Sequence, residues 1–211
     1  GVQAGDHPQA KPVFDLDSTS LLGIARGLRE EHRFESGRKI TFAPRVLLGA
    51  AENPNVSPVE HRAVRLAKKI SAGAQFVQTQ YCYDIPLLRR FMTAVEDAGL
   101  LEQVFILIGV GPIRTAKAGE WMRTHVPGIH IPDSVIERMK GAKDQTREGL
   151  NLCVDLIQEV RTIKGVSGVH VMAYRQEESV AEVIDRSGIL AGRTPWFPGR
   201  DPQINEDRKL S

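Results

Sequence analysis

Cysteine is nearly absent from this chain: 211 residues carry only Cys82 and Cys153. They stand far apart, show no metal-ligand spacing and supply no disulfide framework, so a reducing, cytoplasmic setting is the simpler reading. The six histidines are scattered singly, with no H-x-x-x-H pair, and no metal site is expected. No apolar run approaches the roughly 20 residues of a membrane span, and no leader peptide is read in the polar, turn-like stretch from Gly1 to Asp6. Charge of either sign is not in excess. Lysine and arginine number 28 against 26 acids, a formal net charge of +2, which gives no broad electrostatic footprint for nucleic acid or a membrane surface.

What is present is an alternation of two periodicities. An amphipathic helix opens at Asp17-Ser18 and runs through Leu21, Leu22, Ile24, Ala25 and Leu28. Ile40 to Ala51 is apolar and β-prone, ending in Glu52-Asn53-Pro54. Ser57-Pro58 starts a helix with its apolar face at Ala63, Leu66, Ala67 and Ile70. Phe76 to Tyr81 reads as a strand, Asp84 to Ala98 as a helix closed by Gly99, and Val104 to Val110 as an apolar strand stopped by Gly111-Pro112. Arg114 to His125 reads as helix, as does His130 to about Lys140. The longest helix is Asp144 to Ile163. Gly168 to Tyr174 is the last strand and Glu177 to Arg186 the last helix. Strands that read as uniformly buried, alternating with helices, predict a parallel α/β architecture. Four strands are half of what a closed (β/α)₈ TIM barrel needs, so the chain reads as the C-terminal half of such a barrel over residues 1–195, followed by a polar tail, 196–211.

Parallel barrels build their sites at the C-terminal ends of the strands. Those ends here are Glu52-Asn53-Pro54, Thr79-Gln80-Tyr81, Gly111-Pro112-Ile113 and Tyr174-Arg175-Gln176, with Gly5-Asp6-His7-Pro8 in the loop that opens the chain. The set is rich in amides and aromatics. It contains no nucleophile–base pair and no obvious acid–base pair of carboxylates. The segment Gln75-Phe-Val-Gln-Thr-Gln80 is the most informative. It is short and alternately apolar, and it places a hydroxyl and a carboxamide at a strand end, where Gln80 can donate and accept at once toward a flat, amide-containing heterocycle. The plainer alternative is a glutamine that ties a neighbouring loop. Arg62, Arg65 and Lys69 recur on one face of the helix after Asn53-Pro54. Such a row suits a pyrophosphate, or else forms the solvated outer face of a barrel helix.

Taken together these segments resemble the methylenetetrahydrofolate reductase family. The resemblance rests on Gly5-Asp6-His7-Pro8; Lys11-Pro12-Val13-Phe14-Asp15-Leu16-Asp17-Ser18; Gly49-Ala50-Ala51 with Asn53-Pro54; Lys69-x-x-Ala72-Gly73-Ala74-x-Phe76-x-x-Thr79-Gln80; Gly109-x-x-Pro112-Ile113; Ile131-Pro132; and Gly165-Val166-x-Gly168-Val169-His170. It implies a (β/α)₈ barrel with FAD at the strand ends, reducing 5,10-methylenetetrahydrofolate to 5-methyltetrahydrofolate with NAD(P)H as donor. By position it implies flavin contacts at Gly5, Asp6, Leu16, Asp17, Ala51 and Lys69. Asp6 would tune the flavin's reactivity toward the folate, and Gln80 would contact the stacked substrate.

The chain also departs from the family. Where many relatives carry a Tyr and a His it has Ala51-Glu52-Asn53-Pro54, Arg62 and Arg65 stand where relatives often have Asp and Asn, and Ala173-Tyr174-Arg175 replaces a Thr-Leu-Asn-like segment. The resemblance puts the catalytic glutamate on an earlier strand that these residues do not include. The 211 residues alone are therefore expected to be inactive, and to act within a homo-oligomer or with an N-terminal half. The competing readings are a non-catalytic folate- or flavin-binding module, or accessory subunit, of a split barrel, and, less favoured, another pterin enzyme such as a methyltransferase.

Overall fold

A computed structural model describes residues 15–193. Gly5, Asp6 and the expected tail 196–211 lie outside the described residues.

Four parallel strands form one sheet in the order β1-β2-β3-β4: Gly49–Glu52, Phe76–Tyr81, Phe105–Val110 and Val166–Val171. Helix α1, Ser18–Arg26, precedes β1 and continues into a π-helical turn, Gly27–Glu31. Between the strands run α2 (Val59–Ser71), α3 (Ile85–Asp97), and then α4 (Ala116–His125), α5 (Asp133–Gly141) and α6 (Gln145–Val160). After β4 comes α7, Val180–Ser187. The sequential parallel order with helical crossovers is that of half a (β/α)₈ barrel.

The helices start where short acceptors cap them. Asp84 accepts from the Leu87 N–H at 2.9 Å, Thr115 from Ala118 at 3.1 Å and Asp144 from Arg147 at 3.0 Å. They pack on one face of the sheet, where Val77, Ile106, Ile108 and Val110 meet Leu66, Leu88, Phe91 and Ile157, all essentially without solvent contact. Each such side chain contributes about 1.5–3 kcal/mol by burial. Alternate strand residues point the other way. Gln78, Leu107 and Gly168 form one cross-strand row on that second face, which remains half-exposed among the described residues.

Two boundaries differ from expectation. The apolar stretch from Ile40 is not a strand until Gly49. β2 begins at Phe76, so the register Gly49↔Phe76 leaves residues 40–47 without a partner strand, Leu48 being tied by the Gln75 N–H donating to its carbonyl at 2.8 Å. Their region closes on itself instead, through an antiparallel Arg33–Lys39 bridge and an Ile40 N–H donating to His32 O, and Pro44 has no N–H to give a ladder. The last strand is also displaced, spanning Val166–Val171 rather than 168–174. It is only half-buried, so uniform burial does not hold for it.

Candidate functional site

The strand ends surround a cavity of about 430 Å³. Ala51, Glu52 and Asn53 border it at the end of β1, Gln78 to Gln80 on β2, and His170 and Met172 at the end of β4; Arg62, Arg65 and Lys69 reach it from α2.

Lys69 is not a solvated surface lysine. Its Nζ donates to Glu52 Oε2 at 2.7 Å and to the Ala51 carbonyl at 2.6 Å. The side chains of Lys69 and Glu52 are only 8% and 2% exposed. The second carboxylate oxygen of Glu52 accepts the Asn53 N–H at 2.9 Å. Both charges are thus paired and hydrogen-bonded, the condition under which burial is tolerable. Lys69 also lies in the last turn of α2, where a cation complements the helix dipole. The expected cationic row therefore splits. Lys69 is neutralised, whereas Arg62 and Arg65 form no ion pair among the described residues. Arg62 is half-buried and donates through Nε to Val56 O at 3.2 Å; Arg65 is exposed.

Thr79 and Gln80 also divide. The Thr79 hydroxyl, expected to face a ligand, accepts the Gly109 N–H at 2.8 Å and bonds Gln80 O at 2.9 Å. It fills a break in the β2–β3 ladder, where the register shifts between Gln78 and Tyr81. Gly109 lets the strands come this close, because a Cβ there would strike the carbonyl oxygens of Thr79 and Gln80. The carboxamides of Gln78 and Gln80 are what the strand presents to the cavity. Gln80 Oε1 accepts the Tyr81 N–H at 2.9 Å and its Nε2 donates to Pro127 O at 3.4 Å. His170 contributes an Nδ1 that is buried and has no hydrogen-bond partner among the described residues.

The remaining sequence candidates lie elsewhere. Asp17 caps α1 by accepting the Ser20 N–H at 2.7 Å; that bond holds its carboxyl below the usual range, and the charge of Arg65 acts in the same direction. Leu16 is half-exposed beside it, and neither residue lines the cavity. Ala51 lines it, with its carbonyl taken by Lys69. Sequence reasoning named Glu52 only as a strand end, and it gave Glu52, Gln78 and His170 no role in the site. Strand alternation and the lone carboxylate facing a lysine-bearing helix were the signals available for the first two.

Buried thiols supply no nucleophile. Desolvation pushes Cys82 and Cys153 up to about 12, and a protonated thiol is inert. Among the described residues no group of three or more His, Cys, Asp or Glu could hold a metal ion, and no helix is long and apolar enough to cross a membrane.

A family model described as methylenetetrahydrofolate reductase matches residues 33–188. This chain belongs to the methylenetetrahydrofolate reductase family. Methylenetetrahydrofolate reductase 2 of Schizosaccharomyces pombe is 29% identical over 136 residues, which are 61% of this chain and 21% of that protein. Methylenetetrahydrofolate reductase 2 of Saccharomyces cerevisiae is 28% identical over 162 residues, 72% of this chain and 26% of that protein. The 5,10-methylenetetrahydrofolate reductase of Escherichia coli is 24% identical over 153 residues, 69% and 50% respectively. The chain thus spans half or less of the length of these reductases. In fold it resembles a solved structure titled as an uncharacterized protein from Clostridium thermocellum that binds two copies of 5-methyl-5,6,7,8-tetrahydrofolic acid. The TM-score is 0.53 at 18% identity, over 70% of this chain and 54% of that one.

Proposed function

We propose that this chain forms the folate-facing half of the barrel of a methylenetetrahydrofolate reductase, which reduces 5,10-methylenetetrahydrofolate to 5-methyltetrahydrofolate in the cytoplasm with NAD(P)H as donor. The observation that carries the reading is the pair of inward-facing carboxamides, Gln78 and Gln80, at the mouth of a parallel sheet in a chain of this family. A neutral donor–acceptor pair matches the amide edge of a pterin without the desolvation cost of a charge.

FAD is the cofactor that the family implies. The groups present fit it in two places. Arg62 and Arg65 offer phosphates guanidinium groups that no carboxylate pairs among the described residues, and His170 Nδ1 is an orphaned polar atom that a heterocycle could satisfy. Lys69 supports the same site from beneath by fixing Ala51, rather than as a free cation. When bound, the flavin supplies hydride transfer. The protein's part is to hold it against the folate and to exclude water. Gly5 and Asp6 are proposed to complete the flavin loop, with the Asp6 carboxylate tuning the ring. Leu16 and Asp17 are proposed as further contacts. The 211 residues are proposed to act only within the completed barrel, in a homo-oligomer.

Commitment of Lys69 to Glu52 favours one second reading, a folate-binding module that works without flavin. An absorption spectrum of the full-length protein as purified, followed by stopped-flow mixing with NAD(P)H and then methylenetetrahydrofolate, separates the two. Flavin bands that bleach with the donor and recover with the folate support the reductase. A colourless protein that binds 5-methyltetrahydrofolate supports the module.

A further inference from the structure

Gln80 is held in one orientation between the next residue of its own strand and a loop that lies outside it. A carboxamide has two faces that differ only by a flip, and its neighbours decide between them. Here Oε1 faces a group that can only donate, the Tyr81 N–H at 2.9 Å, and Nε2 faces one that can only accept, the Pro127 carbonyl at 3.4 Å. The flipped amide would oppose donor to donor and acceptor to acceptor. One N–H and one lone pair of Gln80 remain for the cavity, in a fixed order.

The Pro127 carbonyl is itself positioned. Pro127-Gly128 follows α4 and leans across the strand ends. Gly128 O accepts Nδ2 of both Asn53 and Asn55, each at 3.0 Å. Asn55 Nδ2 also donates to Tyr81 O at 2.8 Å, and Asn53 Oδ1 accepts the Asn55 N–H at 3.0 Å. Gly128 has φ +77, and a Cβ there would run into Asn53 Nδ2, so the two asparagines and the glycine fit only as a set. Ile129 and Ile131 are buried on the far side, and residue 130 bridges to Cys82 alongside β2.

We propose that Asn53 and Asn55 are positioning residues that set the amide orientation of Gln80, and thereby the donor–acceptor order offered to the pterin. This rests on the folate reading above only in its last step. The loop-tying role of Gln80 and its ligand role are then one arrangement, because the bond to Pro127 is what aims the side chain.

The test uses the full-length protein and two variants. Asn53→Asp/Asn55→Asp keeps size and shape but replaces both donors to Gly128 O with acceptors. Gln80→Ala identifies the Gln80 side-chain N–H₂ pair in a ¹⁵N correlation spectrum by its disappearance. In the Asp variant that pair is expected to shift and its solvent exchange to rise at least threefold, with the backbone spectrum of the α2 and α3 segments unchanged. Affinity for 5-methyltetrahydrofolate is expected to fall about tenfold in either variant, and no further when the two are combined. An unmoved Gln80 pair in the folded Asp variant overturns the proposal, as do losses of affinity that multiply in the combined variant. A Gln80 pair that moves while Gln80→Ala leaves folate affinity intact upholds the clamp and sinks the pterin role of Gln80. Should the Asp variant not fold, Gly128→Ala displaces the clamp from its other side and is read in the same way.

Discussion

Lys69 Nζ lies 2.7 Å from Glu52 Oε2, with both side chains removed from solvent at the rim of the cavity. The pair ties the end of β1 to the last turn of α2, so the floor of the site depends on a charge balance within it. Glu52→Gln removes the counter-charge and strands a buried ammonium. The expected loss is about 3–5 kcal/mol of stability, measured by urea unfolding. Glu52→Leu combined with Lys69→Met should recover most of it, since replacing a whole buried pair by apolar groups is often near neutral. A Glu52→Gln protein as stable as the parent would show that the pair carries no such burden.

With Lys69 paired to Glu52, the proposed flavin reading assigns phosphate recognition to Arg62 and Arg65. Arg62→Ala/Arg65→Ala should weaken FAD at least tenfold, since one charge-assisted bond is worth about 1.5–3 kcal/mol. Affinity for riboflavin, which carries no phosphate, should stay within about twofold of the parent, because these charges have no partner on it. Fluorescence titration of both ligands against the same preparation checks this. An equal loss for both ligands points to a structural role for the arginines.

Gln80→Ala should weaken 5-methyltetrahydrofolate by about 1–3 kcal/mol, the cost of leaving a buried pterin edge unpaired, while flavin content stays as in the parent. Calorimetric titration together with the absorbance ratio of the purified variant gives both numbers. A parental folate constant with a lower melting temperature would leave Gln80 as a loop tie alone.

Cys82 and Cys153 should resist thiol reagents. With both thiols pushed up to about 12 by burial, the thiolate fraction at pH 8 is about one in ten thousand, and the thiolate is the reactive form. Mass spectrometry after maleimide treatment should find both sites unlabelled in native protein and labelled in urea. Raising the pH to 9 lifts the thiolate fraction only to about one in a thousand, so labelling should stay slight unless the fold opens. Rapid native labelling of either site would show that the core is open there.

Much of this was legible in the sequence because it depends on short-range rules. Asp84 and Asp144 sit at helix starts with their apolar stripes behind them, and Phe76–Tyr81 alternates as a half-buried strand does. The failures come from pairing over distance. Nothing local in Ile40–Leu47 says that its neighbour strand begins too late to pair with it. Nothing in the spacing of Arg62, Arg65 and Lys69 says that a glutamate from another element takes the third cation and leaves the first two. Thr79 and Gln80 are adjacent and both polar, yet pleating sends one into the sheet and the other into the cavity. The Asn53–Asn55–Gly128 contact joins residues more than seventy positions apart, so no local motif contains it.

The Thr79 hydroxyl stands in for a main-chain carbonyl where β2 and β3 part. Backbone geometry is ordinarily beyond the reach of single substitutions, since every residue carries the same amide. Here a stretch of it is encoded in one side chain. A Ser at this position would preserve the acceptor, and a Val of nearly the same shape would delete it. The angle at which two neighbouring carboxamides enter the mouth can therefore be inherited, and altered, through a single codon whose hydroxyl is already engaged inside the sheet.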